Sequence, residues 1–163
     1  MEEILKQLNL LNKKFDSLKY HQHNRYDSSP IEFDNLIHKK LYISHCLVGS
    51  MAATAANYGV FYIVPKACVI TGFQEVHQVA GTDAGAVTLN LEKLTGTEAP
   101  GSGSEVLSTD LSLKSTINSV QSGVLTMTLA DKTLKIGDRL CLKDTGTLTD
   151  VSNITVMVQL IIL

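Results

Sequence analysis

Cysteine, proline and tryptophan are scarce in this sequence: its 163 residues include three Cys, three Pro and no Trp. The three cysteines, Cys46, Cys68 and Cys141, form no C-x-x-C pair and are too few for a disulfide scaffold. Each lies beside aliphatic residues, so we interpret all three as reduced core thiols of a protein made in a reducing compartment. A single domain of this length, with or without an appendage, buries enough surface to fold without a disulfide or a metal.

An excess of charge of one sign is also missing, since 14 Lys and Arg residues are interspersed with 16 Asp and Glu. Without a basic run, nucleic acid is not an expected partner. The longest apolar run is much shorter than the ~20 residues that a membrane span requires. The acidic start is not followed by the apolar core of a signal peptide. The sequence therefore predicts a protein that inserts into no membrane and carries no secretory signal.

Catalytic motifs are the third absence: the chain contains no G-x-S-x-G elbow, Walker loop, H-E-x-x-H motif or paired-carboxylate spacing. The Gly101-Ser102-Gly103-Ser104 stretch is interpreted as a flexible loop tip. His45 and Cys46 are adjacent, so on a strand they would point to opposite faces and could not act together. A single histidine in a β segment, such as His77, is more often packed or surface-exposed than catalytic. We predict that the protein is not an enzyme.

A heptad pattern occupies residues 1–20, which we interpret as a coiled-coil stalk or anchor. Its apolar residues recur at spacings of 4, 3, 4 and 3; they are Ile4, Leu8, Leu11, Phe15 and Leu18. A helix of this length is marginal alone and must bury its apolar stripe, either on the body of its own chain or against copies of itself. We favour copies, because polar chain separates this segment from any core.

Residues 21–40 form a polar, turn-rich linker that begins with an H-x-H segment. In an extended chain, His21 and His23 project from the same side. Three chains on a threefold axis would supply six imidazole nitrogens, an octahedral set suited to a first-row metal. The alternative is a solvated histidine pair without a metal. The interpretation that we carry forward is one axial transition-metal ion, Fe, Ni or Zn, per homotrimer.

From residue 41 to residue 163 the pattern is that of β-structure. Strict alternation marks four apolar sets: Val87, Leu89 and Leu91; Leu125, Met127 and Leu129; Leu140 and Leu142, after a Gly137-Asp138 turn; and Ile154, Val156, Val158, Leu160 and Ile162. Further candidate strands span 41–48, 59–64, 67–79 and 106–114. About eight short strands without a second helical pattern predict an antiparallel β-sandwich, most simply a jelly roll.

Some of these strands are apolar on both sides. The last strand carries Met157 and Ile161 on its second face, and Val60 and Ile63 belong to another doubly apolar segment. A lone sandwich wets the outer face of each sheet. We therefore expect a second copy to cover part of the outer surface, which together with the heptad pattern predicts a homotrimer.

The H-x-H segment resembles the "H-x-H-[DN]-G-x-[DN]-S-P-x-I" segment of trimeric fibre and appendage proteins of tailed bacteriophages. The matching residues are His21, His23, Asn24, Asp27, Ser28 and Ile31. Arg25 replaces the usual Gly, and Pro30 is displaced by one residue. The resemblance implies a metal held by the two histidines on the axis of a trimer.

The body resembles the small sandwich domains of phage head fibres and capsid decoration proteins, in segments 55–61, 75–85 and 137–140. The Gly137-Asp138-Arg139-Leu140 turn is also similar to that of trimeric jelly rolls of the tumour-necrosis-factor and complement-globular types. The implied function is a trimeric virion structural protein, located on the capsid surface and bound to capsid or other virion proteins. The alternative is a short tail-fibre or baseplate receptor-binding adhesin that contacts the host cell surface. Short length favours the capsid, and the absence of Trp disfavours glycan binding.

Overall fold

The computed structural model describes residues 40–47, 59–146, 148 and 150–163. The predicted stalk, and the linker except for Lys40, lie outside these residues. The elements of the described part are β1 (Lys40–Leu47), β2 (Val60–Ile63), β3 (Cys68–Val76), β4 (Thr88–Leu94), β5 (Ser104–Glu105), β6 (Leu111–Ser112), β7 (Gln121–Ser122), α1 (Leu129–Lys132), β8 (Thr133–Leu134), β9 (Arg139–Thr145) and β10 (Ile154–Ile162). No helix within these ranges has the length and hydropathy to cross a membrane.

The strands form two five-stranded sheets in which every pairing is antiparallel. Sheet A has the order β1-β10-β3-β7, with β8 also paired to β3. Sheet B has the order β2-β9-β4-β5, with β6 also paired to β4. Along the chain, β1, β2, β3 and β4 alternate between the two sheets, as do β8, β9 and β10. The prediction of a mainly β, antiparallel fold is confirmed.

Strand β10 follows directly from its sequence. Its alternate residues, from Ile154 to Ile162, are buried, while the residues between them are exposed or half-buried. β-Branched side chains suit this position because their restricted χ1 angles pack well on a pleated surface. β10 pairs with β1 on one side and β3 on the other, so its backbone groups are satisfied along both edges. The predicted alternation of this strand is confirmed.

The hydrophobic core contains residues from both sheets. Sheet A contributes Phe73 and Val158, among others, and sheet B contributes Leu89, Leu91 and Leu142. The alternation predicted for the segment around Leu89 is confirmed on its apolar side. Full burial of each such side chain stabilises the fold by about 1.5–3 kcal/mol relative to exposure.

The turn before β9 is also as predicted. Gly137 has a φ of +86°, a left-handed conformation that glycine adopts without steric penalty. Asp138 closes the turn, because its carboxylate accepts a hydrogen bond from the backbone N–H of Lys135 at 2.8 Å. β9 then begins at Arg139 and returns Leu140 and Leu142 to the core.

The prediction of a strand over Leu125, Met127 and Leu129 is wrong. Leu125 forms one isolated bridge with Leu107, Met127 is 93% exposed, and Leu129 begins helix α1. Alternation gives a segment one apolar side, but a strand also requires a neighbouring strand along its length, and this segment has one only at Leu125. For the same reason, the candidate strand 106–114 is reduced to the two residues of β6.

The cysteine interpretation holds for two of the three thiols. Cys68 and Cys141 are buried, and burial raises the pKa of the Cys68 thiol, with a smaller contribution from the charge of Asp138. Cys46 is exposed, so the prediction of a core thiol is wrong there. The reason is its place on β1, where Cys46 pairs with Thr155 on the outer side of sheet A.

Candidate functional site

The residues predicted for metal binding, His21 and His23, lie outside the described residues. So do the predicted oligomerisation residues Ile4, Leu8, Leu11, Phe15 and Leu18, and both predictions therefore stand as hypotheses. Within the described ranges, His, Cys, Asp and Glu side chains do not gather in groups of three or more that could hold a metal ion. The candidate site is therefore sought among the surfaces and the buried polar groups of the two sheets.

The outer side of sheet A, here called the sheet A face, is almost free of charge. Strand register places twelve residues of β1, β3 and β10 on it: Lys40, Tyr42, Ser44, Cys46, Val69, Gly72, Gln74, Val76, Thr155, Met157, Gln159 and Ile161. Lys40, at the start of β1, is the one charged residue of this set. Tyr42 is 54% exposed and Ile161 is 37% exposed. Apart from Lys40, the face is thus a neutral mixture of apolar and hydroxyl or amide side chains.

A β-bulge keeps the apolar residues of β3 on the correct sides of sheet A. The register with β10 shifts between Gln159 and Leu160, so Ile70 and Phe73 both point into the core although they are three residues apart. Gly72 lies at this bulge, where an added Cβ would approach Gln159 Oε1 to 3.2 Å. The bulge therefore sets which side chains of β3 reach the sheet A face.

A shallow groove of about 210 Å³ runs across the sheet A face. Ser44, Gln74, Val76, Val120, Thr155 and Met157 contribute to its lining. Glu75 also lines the groove, but its carboxylate is fully buried and bonded to other residues. Val120 is 61% exposed at the rim. The groove therefore offers apolar contact and uncharged polar groups to whatever fills it.

The outer side of sheet B has the opposite character. Lys143 donates to Glu105 at 2.6 Å, and this hydrogen bond is the main cause of the raised pKa of Lys143. The Arg139 guanidinium donates to the carbonyl oxygens of Gly96 and Glu98, each at 2.9 Å. Charged side chains and a covering loop therefore occupy this side.

Glu92 anchors that loop from beneath. Its carboxylate is fully buried and accepts hydrogen bonds from the backbone N–H groups of Gly101 and Gly103, both at 2.7 Å. The Cys141 thiol donates to the same carboxylate at 2.9 Å; burial, followed by this bond, raises the pKa of the thiol. An added Cβ at Gly103 would lie 2.2 Å from the Lys93 carbonyl oxygen, so glycine is required there. The interpretation of Gly101–Ser104 as a flexible loop tip omitted these contacts.

A second buried polar cluster lies at one end of sheet A. His77 Nδ1 is 2.9 Å from Glu75 Oε1, and both side chains are fully buried. The Gln121 amide donates to Glu75 Oε2 at 2.6 Å, and His77 Nε2 lies 3.4 Å from the Ser115 carbonyl oxygen. The i, i+2 spacing of Glu75 and His77 places them on one side of a strand, a signal that the sequence carried. Gln121, which is 46 residues away from Glu75, carried no such signal. The cluster connects the 115–121 loop to the end of β3, because Gln121 and Ser115 of that loop contact Glu75 and His77.

The fold was compared with chains of known structure, and one of them, from a phage capsid, is similar to it. A chain from the capsid of Ralstonia phage GP4 aligns with a TM-score of 0.57 and 10% identity, covering 76% of this chain and 84% of that chain. A chain of the cyanophage Pam1 capsid asymmetric unit gives 0.46 and 14%, covering 77% and 84%. A chain from the disulfide-linked pili of Bacillus endospore appendages gives 0.36 and 15%, covering 79% and 93%. No protein-family model and no curated protein sequence matches the chain. The likeness to the GP4 chain is one of fold.

Proposed function

We propose that this protein is a non-enzymatic structural component of a tailed-bacteriophage virion, a homotrimeric head fibre or capsid decoration protein. The observation that carries the proposal is the shared fold with a chain of the GP4 capsid over 76% of this sequence. The resemblance of the H-x-H segment to phage fibre proteins is independent support, because it lies outside the residues that the structure describes.

The body of each protomer is inferred to be a jelly roll. The sheet orders β1-β10-β3-β7 and β2-β9-β4-β5 support this inference, since the first and last strands are neighbours and successive strands cross between sheets. Both ends of the strand sequence then belong to the same sheet. Residues 1–20 would form a three-stranded stalk on Ile4, Leu8, Leu11, Phe15 and Leu18, with the three bodies as a knob.

The metal site belongs to the same proposal. His21 and His23 of three protomers would hold one Fe, Ni or Zn ion on the axis of the trimer. Six protein ligands leave no open coordination position, so the ion would be structural. It would stabilise the trimer by mass action, because it binds the assembled state and not the separate chains.

Imaging of intact virions tests the proposal. Particles of the phage that encodes this chain would be examined by electron cryo-microscopy, with antibody labelling of the protein to locate it. We expect trimeric density on the capsid shell. Label on the tail tip or baseplate would instead support the receptor-binding adhesin. Absence of the protein from purified virions would overturn both assignments.

A further inference from the structure

We infer that the sheet A face is the surface through which copies of this chain associate in the knob. This inference rests on the proposed homotrimer, and it assigns one side of the molecule to the contact between protomers. The groove lined by Ser44, Thr155 and Met157 would lie within that contact.

The first argument is the distribution of charge. Charged residues make up 18% of the whole chain, yet β10 has none. Among the twelve residues of the sheet A face, Lys40 is the one that carries a charge. The outer side of sheet B carries charges such as Lys143, Glu105 and Arg139. Depletion of charge is the compositional mark of the centre of a protein–protein interface. The two outer sides of the fold are therefore not equivalent.

The second argument identifies the partner as another copy. Around a threefold axis the same residues of three protomers approach one another, so fixed charges there would repel, whereas hydroxyl and amide groups can pair. Tyr42, Ser44 and Thr155 each donate and accept, as do the amides of Gln74 and Gln159. The apolar groups, chiefly Met157 and Ile161, gain from mutual burial. A neutral face that carries both donors and acceptors is therefore suited to contact with further copies of the same chain.

The third argument is the edge of sheet A. Within the described residues β1 pairs with β10 alone, so β1 is an edge strand of sheet A. Its edge opposite β10 borders the sheet A face. Burial of that edge against another protomer would cover backbone groups that otherwise template aggregation. The exposed side chain of Tyr42 lies on β1 beside this edge, and Ser44 of the same strand lines the groove. Edge, groove and neutral face form one continuous candidate contact.

A pair of matched variants tests the inference in the full-length protein. Gln159→Glu places a carboxylate on the sheet A face without a change of side-chain size and away from Cys46, and Thr145→Glu places one on the outer side of sheet B. Cys46 is a natural reporter, because it lies on the sheet A face and is the one exposed thiol of the three. Light scattering gives the oligomer mass, maleimide labelling gives the accessibility of Cys46, and circular dichroism verifies the fold.

We expect a wild-type trimer of about 53 kDa, three times 17.7 kDa. Labelling of Cys46 in the wild type and in Thr145→Glu should be at least about tenfold slower than in Gln159→Glu, because a carboxylate carried into the contact by every protomer opposes association by at least that factor. A trimer in which Cys46 labels at one rate in all three proteins would overturn the inference and leave the homotrimer standing. Equal acceleration of Cys46 labelling in both variants would also overturn the inference. A monomeric wild type would overturn both the inference and the proposed homotrimer. If Gln159→Glu fails to fold, Tyr42→Glu, at the exposed residue paired with Gln159, takes its place.

Discussion

The Glu92 anchor makes the sharpest prediction for the described fold. Its carboxylate accepts hydrogen bonds from the backbone N–H groups of Gly101 and Gly103 and from the thiol of Cys141, and the Glu92 side chain is shielded from solvent. In Glu92→Gln one of the two oxygens becomes an NH₂ group of nearly the same size. If the NH₂ group replaces Oε1, the Gly103 N–H faces a donor instead of an acceptor. If it replaces Oε2, both the Gly101 N–H and the Cys141 thiol do. The substitution therefore removes hydrogen bonds without creating a cavity.

The magnitude follows from these contacts. A hydrogen bond to a charged group contributes about 1.5–3 kcal/mol, and a buried donor left unsatisfied costs about 1–3 kcal/mol. The two estimates overlap, because they describe the same lost bond, and the remaining bonds weaken when the charge is removed. We therefore expect Glu92→Gln to lower the free energy of unfolding by about 2–4 kcal/mol.

The matched control is Glu105→Gln, the same chemical change on the same sheet. Glu105 pairs with Lys143 at 2.6 Å, but its side chain is 47% exposed. Exposed ion pairs contribute about 0–1 kcal/mol. Urea unfolding of both variants at one protein concentration gives the comparison, and hydrogen exchange at residues 101 and 103 reports the loop directly. Equal losses in the two variants, or unchanged exchange at the glycines in Glu92→Gln, would refute the anchor.

Four further outcomes are expected. His77→Phe leaves a buried acceptor unsatisfied and should cost roughly 1–3 kcal/mol in thermal unfolding, whereas the control His45→Phe retains the stacked ring contact and should be nearly neutral; equal costs would contradict the buried pair. Hydrogen bonds from the backbone N–H of Thr95 and, to a smaller extent, from its hydroxyl lower the pKa of Glu98 from its ordinary value of 4.5. The stability that these bonds contribute is therefore present above pH 4.5 and is lost as the pH falls through the lowered pKa. A carboxyl NMR titration checks the direction, and Thr95→Val should move the pKa part of the way back. Leu11→Asp should separate the stalk helices and leave the β-signal of circular dichroism intact, and loss of that signal would place the helix on its own body. Elemental analysis should find one metal per three chains, and none after Ala replaces both histidines of the H-x-H pair; a metal-free wild type that gains no Tm on adding Fe²⁺, Ni²⁺ or Zn²⁺ would leave them as linker residues.

The correct predictions concern segments in which one local pattern decides the structure. In β10, five buried aliphatic residues at a period of two specify a strand and its inner side. At Gly137 the turn depends on a left-handed residue that glycine supplies. Both signals are contained in a few neighbouring residues, so they are visible without knowledge of the rest of the chain.

The wrong predictions concern the same pattern where the outcome depends on distant chain. Leu125, Met127 and Leu129 alternate as regularly as β10 does, but a partner strand reaches only Leu125. Cys46 lies beside aliphatic residues, as Cys68 does, but faces outward on an edge strand. The sequence pattern gives the periodicity of a segment. Whether the segment forms a strand, and which side of it is buried, depends on the chain segments that pack beside it.

By itself the sequence determined the mainly β, antiparallel class, most of the strands and the tight turn before β9. It also held the heptad and H-x-H patterns on which the trimer and metal proposals depend. Only the tertiary structure decided that Glu92 holds a loop nine residues away and a thiol 49 residues away, and that Gln121 completes the Glu75–His77 pair. It alone separated a neutral sheet face from a charged one. The physical reason is that strand register is set by long-range antiparallel pairing, and register fixes which side chains of distant strands lie on the same face.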